Sequence, residues 1–515
     1  MPNYLSPGVY VEEVSSGSKP IQGVGTAVAA FVGLAEKGSF HEPTLVTNWT
    51  QFTQEFGGFI EGSYLAHSVY GYFLNGGGSA YVVRIGSDLA QRELPSATAE
   101  LTAGDGTGSD EVKAALRIKA IEAPGRAGEI TVEVAQASDP GEDNFKLLVK
   151  KDGRVKETYD NVSLHRGTNN VVTAVQEKSK LISLEETKWS PLAKRPDTGT
   201  LSLSPAEENT TDAVVSADEY VGDVSDRTGF AGLEAIDEVT MLCVPDLMAA
   251  YQQGAIDDDG LKAVQLAMIA HCELMGDRMA VLDPPPGLNA QQIKTWRQET
   301  AGYDSKYAAL YWPWIKIMDP ASGKPILAPP SGYMAGVWGR NDAERGVHKA
   351  PANEVLRGVI SLERNITRGE QDQLNPIAVN CIRAFPGQGI RVWGARTLTS
   401  DPEWRYLNVR RLFNYIEESI LLGTNWVVFE PNDQKLWDAV RRTINVFLRT
   451  VWRSGALFGS TPEESFYVKC DAENNPPESR DQGYLNVEIG IAPVKPAEFV
   501  VFRISQYSEG SGVQE

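Results

Sequence analysis

IRAFPGQGIRVWGARTLTSDPEWRYLNVRRLFNYIEESILLGTNWVVFEPND, residues 382–433, is the stretch on which the fold turns. Residues 382–385 and 390–393 are short apolar runs flanking Pro386-Gly387-Gln388-Gly389, residues that fix φ or permit positive φ, so the stretch opens with a hairpin. A helix follows, with Asp401 as its N-cap and Pro402 at its first position. Leu407, Leu412, Ile416, Ile420 and Leu421 recur at roughly helical spacing, and Gly423 stops the helix. Residues 426–429 read as a short buried strand, and Asn432 or Asp433 caps a second long helix. The pattern is one of packing and contact surface, without a catalytic loop.

That second helix runs from 433 to about 457. Leu436, Val440, Ile444, Phe447, Val451 and Trp452 form its apolar stripe, widened by Trp437 and Leu448. At 100° per residue Lys435, Arg442, Arg449 and Arg453 fall within about 40° of one another, with Arg441 further round. Two readings stand side by side. One is a solvated face with intrahelical pairs such as Asp438–Arg442; the other is a basic ridge that docks on an acidic partner.

The 515 residues are too many for one core and suggest two to four domains. No apolar run reaches the roughly 18 residues of a membrane span. The start, MPNYLSPGVYVEEV, lacks the basic and apolar regions of a secretory signal, so the expected place of synthesis and storage is the cytoplasm until assembly or release. A net charge of −20 argues against a nucleic-acid partner. The charge is unevenly placed: residues 201–250 hold one Arg against 11 acids, whereas 301–450 hold 19 Lys and Arg against 15 acids. An acidic outer part and a mildly basic inner part suit an assembly that grips an acidic partner inside.

Taken in order, residues 1–20 are a separate arm. Pro7-Gly8 turns the chain, and 9–14 can form a strand that is either an edge strand of its own domain or an arm added to a neighbouring subunit. From 25 the pattern is α/β, with a strand at 27–35, helices at 48–56 and 65–74, and a strand at 80–85. Residues 87–112 break that composition, and strands at 113–121, 130–134, 145–150 and 155–162 follow, with a helix at 169–184. The α/β alternation then resumes: strands at 239–244, 279–282 and 308–312, helices at 258–275, 289–301 and 332–340, which indicates a parallel sheet. The expected organisation is therefore an arm (1–20), an interrupted α/β domain (21–88 and 233–360), an inserted, surface-exposed β-rich domain (89–232) and a mixed α+β C-terminal domain (361–515). Strands at 488–491 and 498–506 close that last domain.

Signals for chemistry are weak. Cys243, Cys272, Cys381 and Cys470 are far apart in apolar surroundings, so buried reduced thiols are expected rather than a metal site or disulfide framework. The histidines (His41, His67, His165, His271, His348) sit in no H-E-x-x-H, and neither a G-x-S-x-G elbow nor a P-loop occurs. Asp257-Asp258-Asp259 reads as a helix-entry charge cluster. No enzyme activity, cofactor or metal is expected.

GIRVWGARTL, EWRYLNVRRL and WVVFEPND resemble the C-terminal region of contractile tail sheath proteins of phages, R-type tailocins and phage-like injection systems. The resemblance continues upstream through YAALYWPWI, PPSGYMAGVWGRND, RGVHKAPAN and EQDQLN, and takes in LSPGVYVEEV at the start and IGIAPVKPAEFVVFRI at the end. His348 departs from it, standing where Trp is expected. The resemblance implies a subtilisin-like α/β domain that is not a hydrolase, and subunits that stack as hexameric rings around an inner tube in a metastable extended state. It implies as partners the chain itself, an inner tube protein, and baseplate and tail terminator proteins, without nucleic acid or membrane insertion. Exchanged terminal arms would link subunits, through Val9, Tyr10, Val11 and Glu12 at one end and Phe499, Val501 and Arg503 at the other. Lys435, Arg442, Arg449 and Arg453 would face the tube. A subtilisin-like hydrolase and a non-contracting tube or shell protein are the alternatives.

Overall fold

The hairpin at the head of that stretch is the edge of a much larger sheet. A computed structural model describes residues 20–86, 97–103, 114–120, most of 130–205 and 215–503. In it β1 (Val28–Gly33), β2 (Thr44–Val46), β3 (Ser79–Arg84), β4 (Met241–Cys243), β5 (Met279–Leu282), β6 (Ala308–Trp312), β7 (Val379–Phe385) and β8 (Gly389–Val392) form one sheet. Their order is β8-β7-β6-β5-β4-β1-β3-β2. The six inner strands are parallel, and β2 and β8 close the edges antiparallel. β4, β5 and β6 are buried along their whole length, the pattern of parallel strands covered on both faces.

One face carries α1 (Leu65–Leu74) and α3 (Ser331–Arg345), whose Val69, Tyr72, Tyr333, Met334, Val337 and Trp338 share a core. These helices touch closely because small residues meet there: a Cβ on Gly336 would lie 2.4 Å from the Tyr72 carbonyl oxygen. The other face is covered by α2 (Asp258–Met275), through Leu261, Val264, Met268 and Cys272. Asp257 caps α2, accepting from the Gly260 amide at 2.8 Å, and Gly276 at φ 73° ends it. Buried carboxylates tie loops to helix starts. Asp246 accepts from the Leu34, Tyr64 and Leu65 amides and the Ser63 hydroxyl, and Asp283 accepts from the Ser331 amide.

The C-terminal layer is built from α4 (Leu407–Gly423), α5 (Gln434–Arg453) and the hairpin β9 (Phe466–Lys469) and β10 (Glu488–Ile491). Leu412, Ile416, Trp437, Ile444, Phe447, Leu448 and Cys470 are its core. Arg411 on α4 reaches Asp342 on α3 with two bonds of 2.9 and 2.5 Å, both side chains almost wholly buried. Thr26 joins them by donating to Asp342 at 2.7 Å.

The chain divides into two compact units, one from Met1–Gly86 with Val214–Glu515, the other Ser87–Ala213. The second holds two four-stranded antiparallel sheets, one with Ile130–Gln136, Phe145–Lys151 and Arg154–Val162 and the other with Ala97–Ala103, Ala114–Ala120 and Ile182–Lys188. Ile118, Val132, Leu147, Val149 and Val175 are among its core residues.

Several expectations need correction. The insertion ends at 213 and not 232, because Val215, Tyr220 and Phe230 pack into the parallel-sheet core. Residue 361 is no boundary, since β7 pairs with β6 and carries the 382–393 hairpin into the main sheet. The helix expected over 169–184 spans Val171–Lys178, and the apolar residues after it belong to the strand Ile182–Lys188. α4 starts at Leu407; Asp401 caps only a local turn, accepting from the Glu403 amide at 2.9 Å. Residues 426–429 are not a buried strand: Asn425–Val427 is a 3₁₀ turn, and Val428 and Phe429 face solvent. Leu421, expected inward, is also exposed. Of the strand expected at 498–506, residues 498–503 have no regular structure, and the rest lies outside the described residues.

Candidate assembly surface

α5 forms where the sequence places it. Asp433 accepts from the Leu436 amide at 2.9 Å, and Leu436, Trp437, Val440, Ile444, Phe447, Leu448 and Val451 are buried. Trp452 is half-buried, its indole N–H donating to the Gly459 carbonyl at 3.0 Å. Lys435, Arg442, Arg449 and Arg453 are all exposed on the opposite side, and among the described residues none forms an ion pair. The intrahelical partner of Asp438 is Arg441, at 2.6 Å, and not Arg442. The ridge is therefore an uncompensated cationic stripe with exposed Val446 in its middle.

The loop before α5 is anchored at Asn432. Asn432 donates to the Tyr484 carbonyl at 2.9 Å and accepts from the Trp437 indole at 2.7 Å. Its tip, Val428-Phe429-Glu430, is solvent-exposed, and Phe429 sits at φ 67° with its ring fully exposed. A bulky residue in the left-handed region is a strained conformation that the surrounding contacts must impose. The sequence reading missed this tip by treating an apolar run as core; the adjoining Glu430-Pro431-Asn432 was the available signal for a loop.

The C-terminal segment is pinned and then released. Glu498 accepts from Arg396 at 2.9 and 2.7 Å, from Asn375 at 2.7 Å and from the Tyr406 hydroxyl at 3.0 Å. Burial opposes its ionisation, yet the Arg396 and Asn375 hydrogen bonds and the Arg396 charge outweigh that and hold the carboxyl below its usual range. Immediately after it Phe499, Val500, Val501 and Phe502 are 68–84% exposed, and Arg503 is exposed as well. Val9, Tyr10, Val11 and Glu12 lie outside the described residues.

Beside the pinned segment runs a groove of about 1040 Å³. The rings of Phe385 and Trp393 lie in its lining, 4.5 Å apart and tilted 52°, with Arg368, Arg383 and Lys495 among its cations. A smaller hollow of about 290 Å³ lies between residues 24–28 and α4, lined by Asp237, Glu238, Asp277 and Glu418 together with Arg411.

The histidine rings are engaged in ways unlike a catalytic triad. His67 meets Asp319 at 3.2 Å, His271 meets Arg278 at 3.3 Å, and His41 accepts from the Gly229 amide at 3.2 Å. Among the described residues no serine hydroxyl bonds a histidine ring, as a Ser-His-Asp nucleophile requires. Burial and the Arg278 charge push His271 down to about 4. His348 is half-buried beside the groove, and its carbonyl accepts from Asn408 at 2.7 Å. All four cysteines are buried and free, and burial pushes the thiols of Cys243, Cys272 and Cys381 up.

Residues 226–398 match the family model of the phage tail sheath protein central domain, and residues 399–506 match that of the phage tail sheath C-terminal domain. The tail sheath protein of Burkholderia phage BcepMu is 24% identical over 98% of each chain. Among solved structures, the contracted helical sheath of the anti-feeding prophage aligns at a TM-score of 0.58 and 24% identity, covering 97% of this chain and 99% of that one. The contracted PVC sheath complex of an extracellular contractile injection system aligns at the same TM-score and identity, over 99% of each. Among the described residues no helix is long and apolar enough to cross a membrane. With contiguous family matches over more than half of its length, the chain belongs to the phage tail sheath family and is a structural tail sheath protein, not an enzyme.

Proposed function

We propose that the chain is the repeating subunit of a contractile sheath, stacked as hexameric rings around an inner tube in a metastable extended state. The observation that carries this is the segment after Glu498. Four consecutive apolar side chains leave an anchored residue, and no described residue of their own chain covers them. Such a segment calls for a partner, and an extended one suits strand addition to a neighbouring copy through Phe499, Val501 and Arg503. Val9, Tyr10, Val11 and Glu12, outside the described residues, are the proposed counterpart at the other end.

The inner tube is the proposed partner of Lys435, Arg442, Arg449 and Arg453. Exposed ion pairs are weak, about 0.2–1 kcal/mol each. Weak contacts repeated over many subunits hold a tube before contraction and still release it. Contraction is rigid-body movement of subunits whose arms remain linked, driven by packing energy stored at assembly. We read the parallel-sheet unit as the subtilisin-like domain that Ser87–Ala213 interrupts, with assembly in the cytoplasm against baseplate and tail terminator proteins.

Deleting residues 1–14 tests the arm assignment. The expected product is a folded protein with unchanged circular dichroism that forms no sheaths by electron microscopy. Sheaths of normal length from that truncation contradict it.

A further inference from the structure

The two features that sequence reading did not foresee, the exposed tip at 428–430 and the groove beside Glu498, have complementary chemistry. The tip presents an exposed aromatic ring followed by a carboxylate. The groove presents two aromatic rings, Phe385 and Trp393, the latter 38% exposed, and a rim where exposed Arg345, Arg368 and Lys495 outnumber exposed Asp372. Arg383 stands over the Phe385 ring at 5.1 Å and adds charge to the floor. An aromatic anchor entering an aromatic-lined pocket rimmed by opposite charge is the usual form of an energetic hot spot at a protein interface.

The fold places tip and groove at opposite ends of one helix. The tip follows the last residue of α4, Gly423, while the groove is lined by Tyr406, which directly precedes the first. The 17 residues between them span about 25 Å at the α-helical rise. A tip therefore cannot reach its own groove, and the contact must run between copies. It also joins unlike surfaces, so a bound pair keeps one free tip and one free groove. Such a heterologous contact propagates, closing into a ring or continuing as a helix according to the rotation between copies.

We propose that Val428-Phe429-Glu430 of one subunit seats in the groove of the next, with Phe429 on the Phe385 and Trp393 rings and Glu430 facing Arg368 and Lys495. The pinning of the 494–498 segment by Arg396 gives the groove a fixed wall, and the Asn432 bonds give the tip a fixed shape. Little ordering cost then remains to be met on association. The inference rests on the chain being a self-assembling sheath subunit, and names one contact by which it polymerises.

Two full-length chains test it, one with Glu430→Cys and one with Lys495→Cys, both at exposed positions, in a protein whose own cysteines are buried. Mixed under polymerising conditions and oxidised, or treated with a short bismaleimide, they are expected to give crosslinked heterodimers that neither gives alone. Polymers without heterodimers overturn the contact while leaving the sheath reading intact. Glu430→Cys homodimers in equal yield overturn the head-to-tail arrangement. Crosslinking of Glu430→Cys to a tube protein in place of its own kind shows the tip to be a tube contact and overturns it too. A wild-type chain that never polymerises overturns both the reading and the inference. As a companion measurement, Phe429→Ser is expected to raise the critical concentration for polymerisation at least about tenfold with no change in melting temperature. An unchanged critical concentration contradicts the proposal.

Discussion

The parallel sheet and the C-terminal layer handle apolar residues in opposite ways. In the sheet, large rings are sealed inside the chain: Trp312, Trp314, Trp338, Tyr311 and Tyr333 are at most 2% exposed. In the C-terminal layer and the segment that leaves it, Leu421, Val428, Phe429, Val446 and residues 499–502 remain in solvent, as do four cations with no carboxylate partner among the described residues. The first region answers the demands of folding within one chain. The second is finished only by something outside it. Stability should therefore reside in the sheet and assembly in the exposed set, with little crossover between them.

The largest expected effect is in the sheet's core. Trp338 is fully buried and its indole donates to the Tyr311 hydroxyl at 3.0 Å, so Trp338→Ala removes a large packed ring and strands a partner. It should cost about 3–5 kcal/mol in chemical denaturation of the full chain. A loss below about 1 kcal/mol would contradict the placing of stability in the sheet.

An intermediate effect concerns the carboxylates inside that core. Burial pushes Asp283 up to about 7, above the value of about 4 it has in an unfolded chain. The protonated form is the one the fold prefers. Its stabilising contribution is complete below pH ~4 and is lost as pH rises through about 7. Asp283→Asn removes the ionising group and can keep an oxygen for the Ser331 amide, so its melting temperature should rise relative to wild type between pH 5 and pH 8. A constant gap across that range contradicts the assignment.

The smallest effect on folding, and a large one on binding, is expected at the ridge. Replacing Lys435, Arg442, Arg449 and Arg453 together by Gln should move stability by no more than about 0.5 kcal/mol per site, because all four are exposed. The same variant should fail to co-sediment with an acidic tube at low salt, and wild type should lose that binding as salt is raised. Unchanged tube binding would assign the stripe to solvent.

Much of the fold was legible because its signals are local. The 382–393 hairpin carries its own turn chemistry, α2 carries its caps at Asp257 and Gly276, and α5 carries a continuous apolar stripe. What was illegible depends on distant residues. Nothing near 361 tells that β7 joins β6, and nothing near 232 tells that Tyr220 packs under the parallel sheet. The candidate surface divides in the same way. The cationic ridge follows from helical periodicity alone. The tip at Phe429 and the groove do not: an apolar run promises burial, whereas here Asn432 ties the loop to Tyr484 and Trp437 while Val428 and Phe429 face outward. Sequence rules failed where the chain departs from its own folding interest, which is where assembly contacts are expected.

Electron microscopy of the purified chain, alone and with its candidate tube protein, separates a contractile sheath from a static tube. Hollow ribbed tubes are expected in two packings, short and wide without the tube, long and narrow around it. A single lattice under both conditions would make this a static tube, and monomers under every condition would contradict sheath assembly altogether.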